Sequence, residues 1–267
     1  MISFPNAKIN LGLSITEKRS DGYHNLESCF YPIEWSDILE IVPDDELNFS
    51  SSGITIPGND ESNLCLQAYH LLKKDFDIPQ VNIHLHKIIP IGAGLGGGSS
   101  DGAFALKMLN EIFNLSLSIQ QLESYASQLG SDCPFFIKNQ AKYVTGTGDE
   151  FQTIQIDLSG KHITVIKPNI HISTAEAYAG ITPDMPTKNV KDIIENQSMT
   201  DWRSILINDF EKSIFPNHTQ IAEVKRKFYA KGALYASMTG SGAAVFGIFD
   251  SETEFESTDD TIWTSQL

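Results

Sequence analysis

Pro90-Ile91-Gly92-Ala93-Gly94-Leu95-Gly96-Gly97-Gly98-Ser99-Ser100-Asp101-Gly102-Ala103 is the stretch on which the reading of this chain turns. Its six glycines and paired hydroxyls let the backbone approach a ligand closely and turn several N–H groups toward one point. That is the chemistry of a phosphate cradle. Residues 103–113, Ala-Phe-Ala-Leu-Lys-Met-Leu-Asn-Glu-Ile-Phe, carry apolar side chains densely enough for a buried helix, with Ser99 or Ser100 as the expected N-cap. The loop would deliver its ligand to the positive end of a helix dipole.

Two familiar phosphate sites fit poorly. Gly92-x-Gly94-x-x-Gly97 matches the dinucleotide fingerprint, but no strand with an acidic end follows at the required distance. A P-loop needs a lysine directly after its last glycine, and here Gly98 is followed by Ser99. The cation must come from elsewhere. Ala7 to Ile15 alternates strictly, with Ala7, Ile9, Leu11, Leu13 and Ile15 on one face, which reads as a half-buried strand. Lys8 and Asn10 then project side by side from the other face.

Further strands are expected over Leu26–Phe30, Ile38–Val42, Gly53–Ile56, Val81–Lys87, Tyr143–Val144, Ile163–Lys167, Tyr235–Met238 and Val245–Phe249. Helices are expected after a cap at Ser62 or Asn63, and from Ser118 to a stop at Gly130. Others should run from the capping-box form Ser173-Thr174-Ala175-Glu176 and over Val190–Glu195, Trp202–Phe210 and Ile221–Tyr229. Asp132 falls just past a helix stop, in a turn closed by Pro134. The acidic, Ser/Thr-rich tail after Phe249 reads as loosely packed. This mixed order of strands and helices argues an α+β fold.

A formal charge of −15, from 34 acidic and 19 basic residues, repels polyanions, so no nucleic-acid partner is expected. No run of about eighteen apolar residues and no basic leader occurs, so neither a membrane partner nor export is expected. Three widely spaced cysteines, Cys29, Cys65 and Cys133, suit a reducing compartment, and the expected location is cytoplasmic. Cys133 leads into apolar Pro134-Phe135-Phe136, which reads as packing. His84-x-His86 offers two imidazoles on one strand face without an evident third metal ligand, which a solvated strand face explains.

The glycine loop resembles the central motif of the GHMP kinases, Pro-x-x-x-Gly-Leu-Gly-Ser-Ser. Phe4-Pro5-Asn6-Ala7-Lys8-Ile9-Asn10-Leu11-Gly12-Leu13 is similar to the family's first motif and Met238-Thr239-Gly240-Ser241-Gly242-Ala243-Ala244-Val245-Phe246 to its third. Asp21-Gly22-Tyr23-His24 and Gly130-Ser131-Asp132-Cys133-Pro134-Phe135-Phe136 add two more matches, so the resemblance runs in order from about Phe4 to Phe249. It implies a two-lobed fold, with an N-terminal lobe like ribosomal protein S5 domain 2 over residues 1–162 and a ferredoxin-like C-terminal lobe over residues 163–267. It also implies an ATP-dependent small-molecule kinase, working with Mg²⁺ as a monomer or weak homodimer.

Site residues follow from the same resemblance. Pro90, Ile91, Gly92, Ala93, Gly94, Leu95, Gly96, Gly97, Gly98, Ser99 and Ser100 would hold ATP, with Ser99 or Ser100 reaching Mg²⁺. Gly240, Ser241 and Gly242 would form a second turn against the phosphates and acceptor. Asp132 is implied as general base with Lys8 as its cationic partner. Asn10, Tyr23, His24 and Tyr178 would bind an acceptor bearing a cytosine, its base stacked on aromatic rings. The implied acceptor is a cytidine-diphosphate-linked methylerythritol phosphorylated on its 2-hydroxyl. Homoserine, mevalonate or a sugar as acceptor, and a non-catalytic ligand-binding relative, are the alternatives. The family's usual alanine after Asp101 is Gly102 here, which should loosen the helix start. Where an arginine is common before a Gly-x-Gly turn, the chain has Val144-Thr145-Gly146-Thr147-Gly148.

Overall fold

Alternating apolar residues with glycine-rich punctuation produce a chain of short strands and helices, seen in a computed structural model that describes residues 1–184, 186 and 188–267. The first half contains β1 (Ile2–Ser3), β2 (Asn6–Lys18), β3 (His24–Ser36), β4 (Ile38–Asp44), β5 (Asn48–Gly53), α1 (Leu64–Asp75), β6 (Gln80–Lys87), α2 (Gly97–Ile112), α3 (Ile119–Leu129) and α4 (Cys133–Lys138). The second half contains β7 (Lys142–Thr145), β8 (Glu150–Thr153), β9 (His162–Lys167), α5 (Thr174–Ala179), α6 (Val190–Asn196), α7 (Met199–Ile205), α8 (Phe210–Ile214), α9 (Thr219–Ala230), β10 (Tyr235–Met238), β11 (Val245–Phe249) and β12 (Thr261–Gln266). The fold is α+β.

By packing, the chain divides into two compact units, Met1–Ala7 with Glu34–Ile91 and Gly96–Gln140, and Lys8–Ile33 with Gly92–Leu95 and Ala141–Leu267. The units interleave in sequence.

The first unit holds the sheet β1-β4-β6-β5, antiparallel except where β5 runs parallel to β6. Leu39, Ile41, Val81, Ile83 and Leu85 are buried, each such side chain contributing about 1.5–3 kcal/mol by leaving water. β5 ends at Gly53, so the strand expected over Gly53–Ile56 lies upstream, drawn into register by β6. Helix α2 packs against α1, α3 and α4. A Cβ on Gly102 would stand 2.8 Å from Leu64 Cβ, so this glycine permits the close α1–α2 approach where loosening was expected.

In α1 the Asn63 side chain accepts from Cys65 N–H, as expected of its cap, and Ser118 closes a full capping box with Gln121 on α3. Gly130 ends α3 in extended backbone (φ 170°), a conformation open to any residue.

The second unit contains the sheets β2-β3-β7-β8 and β10-β11-β9-β12. Its core gathers Leu13, Ile15, Ile166, Phe210, Ile214, Ile221, Phe228, Met238, Val245 and Phe249. β2 is buried on both faces through Leu13, more than the half-buried strand expected.

Two sequence expectations are corrected in this unit. The helix expected over Trp202–Phe210 is two, α7 and α8, because the backbone between them pairs with β2: Leu13 N–H donates to Ile207 O at 3.0 Å and Asp209 N–H to Leu13 O at 2.8 Å. The tail is not loose. β12 pairs antiparallel with β9, Ile262 opposite Ile166, and the Phe255 ring lies 4.9 Å from that of Phe228. A paired strand edge and a ring cluster outweigh the polar composition that suggested loose packing.

Candidate functional site

Because side chains alternate along a strand, Lys8 and Asn10 leave β2 together, and the structure brings their polar ends into contact. Lys8 Nζ donates to Asn10 Oδ1 at 2.6 Å and to Gly94 O at 3.2 Å, and lies 4.5 Å from the centre of the Phe30 ring. Lys8 is 3% exposed and Asn10 1%, so neither is an ordinary solvated strand residue. Asn10 Nδ2 donates to Ser28 Oγ at 2.9 Å, and Ser28 Oγ donates to Gly12 O at 2.6 Å. Asn10 N–H donates to Thr239 Oγ1 at 3.0 Å, and that hydroxyl is 3.0 Å from Gly94 O. Every polar group here is tied to another, which fixes the ammonium in one place.

The glycine loop is built for close approach. Gly92, Gly94 and Gly96 have φ of 64°, 76° and 70°, in the left-handed region that favours glycine. A Cβ on Gly94 would stand 2.0 Å from Thr239 O, so the loop backbone lies directly against the second glycine turn. That turn is held from its other side by Asn208, whose Nδ2 donates to Met238 O and Gly240 O at 2.8 and 2.9 Å.

The start of α2 differs from expectation. Gly96 is its N-cap and makes no side-chain capping bond, while Ser99 and Ser100 lie inside the first turn. The left-handed turn at Gly96 starts the helix three residues before a serine could cap it. The N–H groups of Gly97, Gly98 and Ser99 thus precede the first intrahelical bond, Ser100 N–H to Gly96 O, and mark the positive end of a sixteen-residue helix. Ser100 Oγ is buried with no hydrogen-bond partner among the described residues. A Cβ on Gly98 would meet no atom within 4 Å. Three amides, an open glycine and an unused hydroxyl suit a phosphate and its metal ion.

Asp132 is the N-cap of α4, which the sequence reading missed, yet its side chain makes no capping bond. Its position is therefore not explained by helix capping. His24 and Tyr178 come together, ring centroids 4.8 Å apart and planes 28° from parallel, while Phe210 meets Tyr178 edge-on at 4.8 Å. Ser173 caps the helix that carries Tyr178. Tyr23 is 67% exposed, so its ring is available to a ligand.

The family description "GHMP kinases N terminal domain" matches residues 63–140 and "GHMP kinases C terminal" matches residues 189–257. A 4-diphosphocytidyl-2-C-methyl-D-erythritol kinase of Cytophaga hutchinsonii is 53% identical over 255 residues, covering 95% of this chain and 94% of the relative. The chain belongs to the GHMP kinase family. A protein of the same name from Bacteroides thetaiotaomicron is also 53% identical, over 97% of this GHMP kinase and 96% of the relative. Among solved structures, a 4-(cytidine 5'-diphospho)-2C-methyl-D-erythritol kinase superposes with a TM-score of 0.77 at 29% identity, covering 93% of this chain and 90% of that one.

This GHMP kinase also carries residues the sequence reading did not single out. Thr239, Ser28 and Asn208 are three, found only through their long-range hydrogen bonds. Another group lies in the first unit, where Lys87 Nζ donates to Asp101 Oδ2 at 2.8 Å and to Asp37 Oδ2. Asp37 Oδ1 accepts from Ile89 N–H at 2.8 Å and from Ile88 N–H, gripping the chain just before Pro90. One lysine cannot neutralise two buried carboxylates, and burial first, with Asp37 adding to it, pushes the Asp101 carboxyl up to about 8. The signal was present: Lys87 shares the strand face of Val81, Ile83 and Leu85, where a charge demands a buried partner.

His84 and His86 bond to Ser50 and Ser52, and among the described residues no cluster of three His, Cys, Asp or Glu could hold a metal. Cys29, Cys65 and Cys133 are buried and free, and burial pushes the Cys133 thiol up to about 12, away from nucleophilic use. No helix among the described residues is long and apolar enough to cross a membrane.

Proposed function

We propose that this chain transfers the γ-phosphoryl group of ATP to the 2-hydroxyl of 4-diphosphocytidyl-2-C-methyl-D-erythritol, in isoprenoid precursor synthesis. The observation that carries the reading is the 53% identity to kinases of that name across nearly the whole chain. The His24–Tyr178 stack supports it, because mevalonate, homoserine and galactose have no base to place on an aromatic ring.

In this reading, amides over residues 94–100 hold the β- and γ-phosphates, and Ser99 or Ser100 holds Mg²⁺. When bound, the ion neutralises charge on the phosphate oxygens. Asp132 accepts the proton of the 2-hydroxyl as its oxygen attacks phosphorus in line. Lys8 stabilises negative charge on the arriving group. Asn10 orients the polyol or its phosphates, and Gly240, Ser241 and Gly242 close against them. Tyr23 and Tyr178 flank the cytosine while His24 reads its polar edge. We further propose lobes over residues 1–162 and 163–267, a cytoplasmic location, and a monomer or weak homodimer.

Coupled ADP release over a panel of acceptors tests this. The cytidylyl acceptor should give the highest kcat/KM. A higher value for mevalonate, homoserine or galactose would overturn the substrate and leave the family intact.

A further inference from the structure

The sheet β2-β3-β7-β8 has a second working face. Ser28 pairs with Val144 and Cys29 with Tyr143, so alternation turns Glu27 and Tyr143 away from the side that carries Ser28 and Asn10. Glu27 and Tyr143 line a cavity of about 420 Å³, together among others with Thr16, Asn25, Glu150 and Asn189. Its size falls within the range of small-ligand sites.

Glu27 is the unusual member. It is 5% exposed; its Oε2 accepts from the Tyr143 hydroxyl, but Oε1 has no hydrogen-bond partner among the described residues. Burial pushes its carboxyl up, the Tyr143 bond and the Val190 amide hold part of that rise back, and Asp192 adds to it. A buried acceptor left unpaired is costly, and a donor brought to this carboxylate would relieve it.

Charge selects the donor. Glu27 and Glu150 both line the cavity, whereas its one guanidinium, Arg19, is already paired with Asp21 at 2.9 Å. Leu26 and Pro186 supply apolar wall. We propose that this cavity binds a small organic cation with an apolar body, an amidinium or primary ammonium, whose N–H groups donate to the Glu27 carboxylate.

Calorimetric titration of the full chain with benzamidine tests the site, with benzamide as the neutral isostere and erythritol as a polyol. Benzamidine should bind saturably, and benzamide at least tenfold more weakly. Glu27→Gln should weaken benzamidine at least tenfold, and Glu150→Gln, at an exposed position that carries no folding risk, several-fold, with ADP-release activity kept in both. Asp132→Asn should leave benzamidine binding unchanged, which separates this cavity from the reacting groups. Absence of saturation by about 10 mM, equal binding of benzamide, tighter binding of erythritol, or indifference to both glutamate changes would each overturn the proposal.

Discussion

Gly94→Ala is the perturbation whose size the structure defines best. The new methyl would sit 2.0 Å from Thr239 O and 2.8 Å from Thr239 C, closer than real Cβ contacts come, and both obstacles are backbone. Something must yield by about 1 Å. The residue also sits at φ 76°, which costs a non-glycine residue about 1–2 kcal/mol. Whichever side moves, Gly94 O is shared by Lys8 Nζ and the Thr239 hydroxyl, so the ammonium loses its fixed position. A misplacement of about 1 Å near the chemistry costs on the order of a hundredfold in rate, or about 2.7 kcal/mol of barrier. Coupled ADP release should therefore show kcat reduced about a hundredfold, with a lowered but still cooperative melting transition. Gly98→Ala is the matched control. Its methyl meets nothing and replaces glycine within a helix, so stability should hold or rise by up to about 1 kcal/mol, any loss appearing in the KM for ATP alone. Gly94→Ala with kcat within about threefold of the parent would refute the argument that loop approach fixes Lys8.

Other outcomes follow from the same geometry. Lys8→Ala and Asp132→Asn should each lower kcat about a hundredfold or more while nucleotide titration stays near normal; near-parental turnover in a folded variant would falsify the assigned role. Tyr178→Ala should weaken the cytidylyl acceptor by about five- to a hundredfold, the value of one stacked ring, with ATP affinity unchanged; the reverse pattern in paired titrations would move the base elsewhere. Asp101 governs a pH effect, since its folded value of about 8 lies above that of an unfolded aspartate, near 3.9. The unfolded chain releases this proton first, so the stability Asp101 contributes is full below about pH 4 and is lost as pH rises toward 8. Asp101→Asn should remove that slope, and melting curves of variant and parent running parallel from pH 4 to 8 would contradict the assignment.

Much of this arrangement is legible in local sequence because it rests on local physics. Alternation over residues 7–15 puts Lys8 and Asn10 together, and the caps at Asn63 and Ser118 work through side chains within three residues. Strands Tyr235–Met238 and Val245–Phe249 stand where the apolar runs place them. What escapes is non-local. The break at Asn208 depends on pairing with Leu13, almost two hundred residues earlier in the chain, and β12 is a strand because β9 offers an open edge. Gly102 reads as a weak helix residue until Leu64 is placed against it. Helix α4 is only six residues long and begins Cys-Pro, too short for periodicity to reveal.

The identity of the phosphorylated product tests the central claim most directly. After incubation with ATP and Mg²⁺, ³¹P NMR of the cytidylyl-methylerythritol acceptor labelled with ¹³C in its polyol should show one new phosphomonoester, coupled to the carbon that bears the 2-hydroxyl and to its neighbours. A monoester on another hydroxyl, or an unchanged cytidylyl acceptor beside phosphorylated mevalonate, homoserine or galactose, would contradict the account.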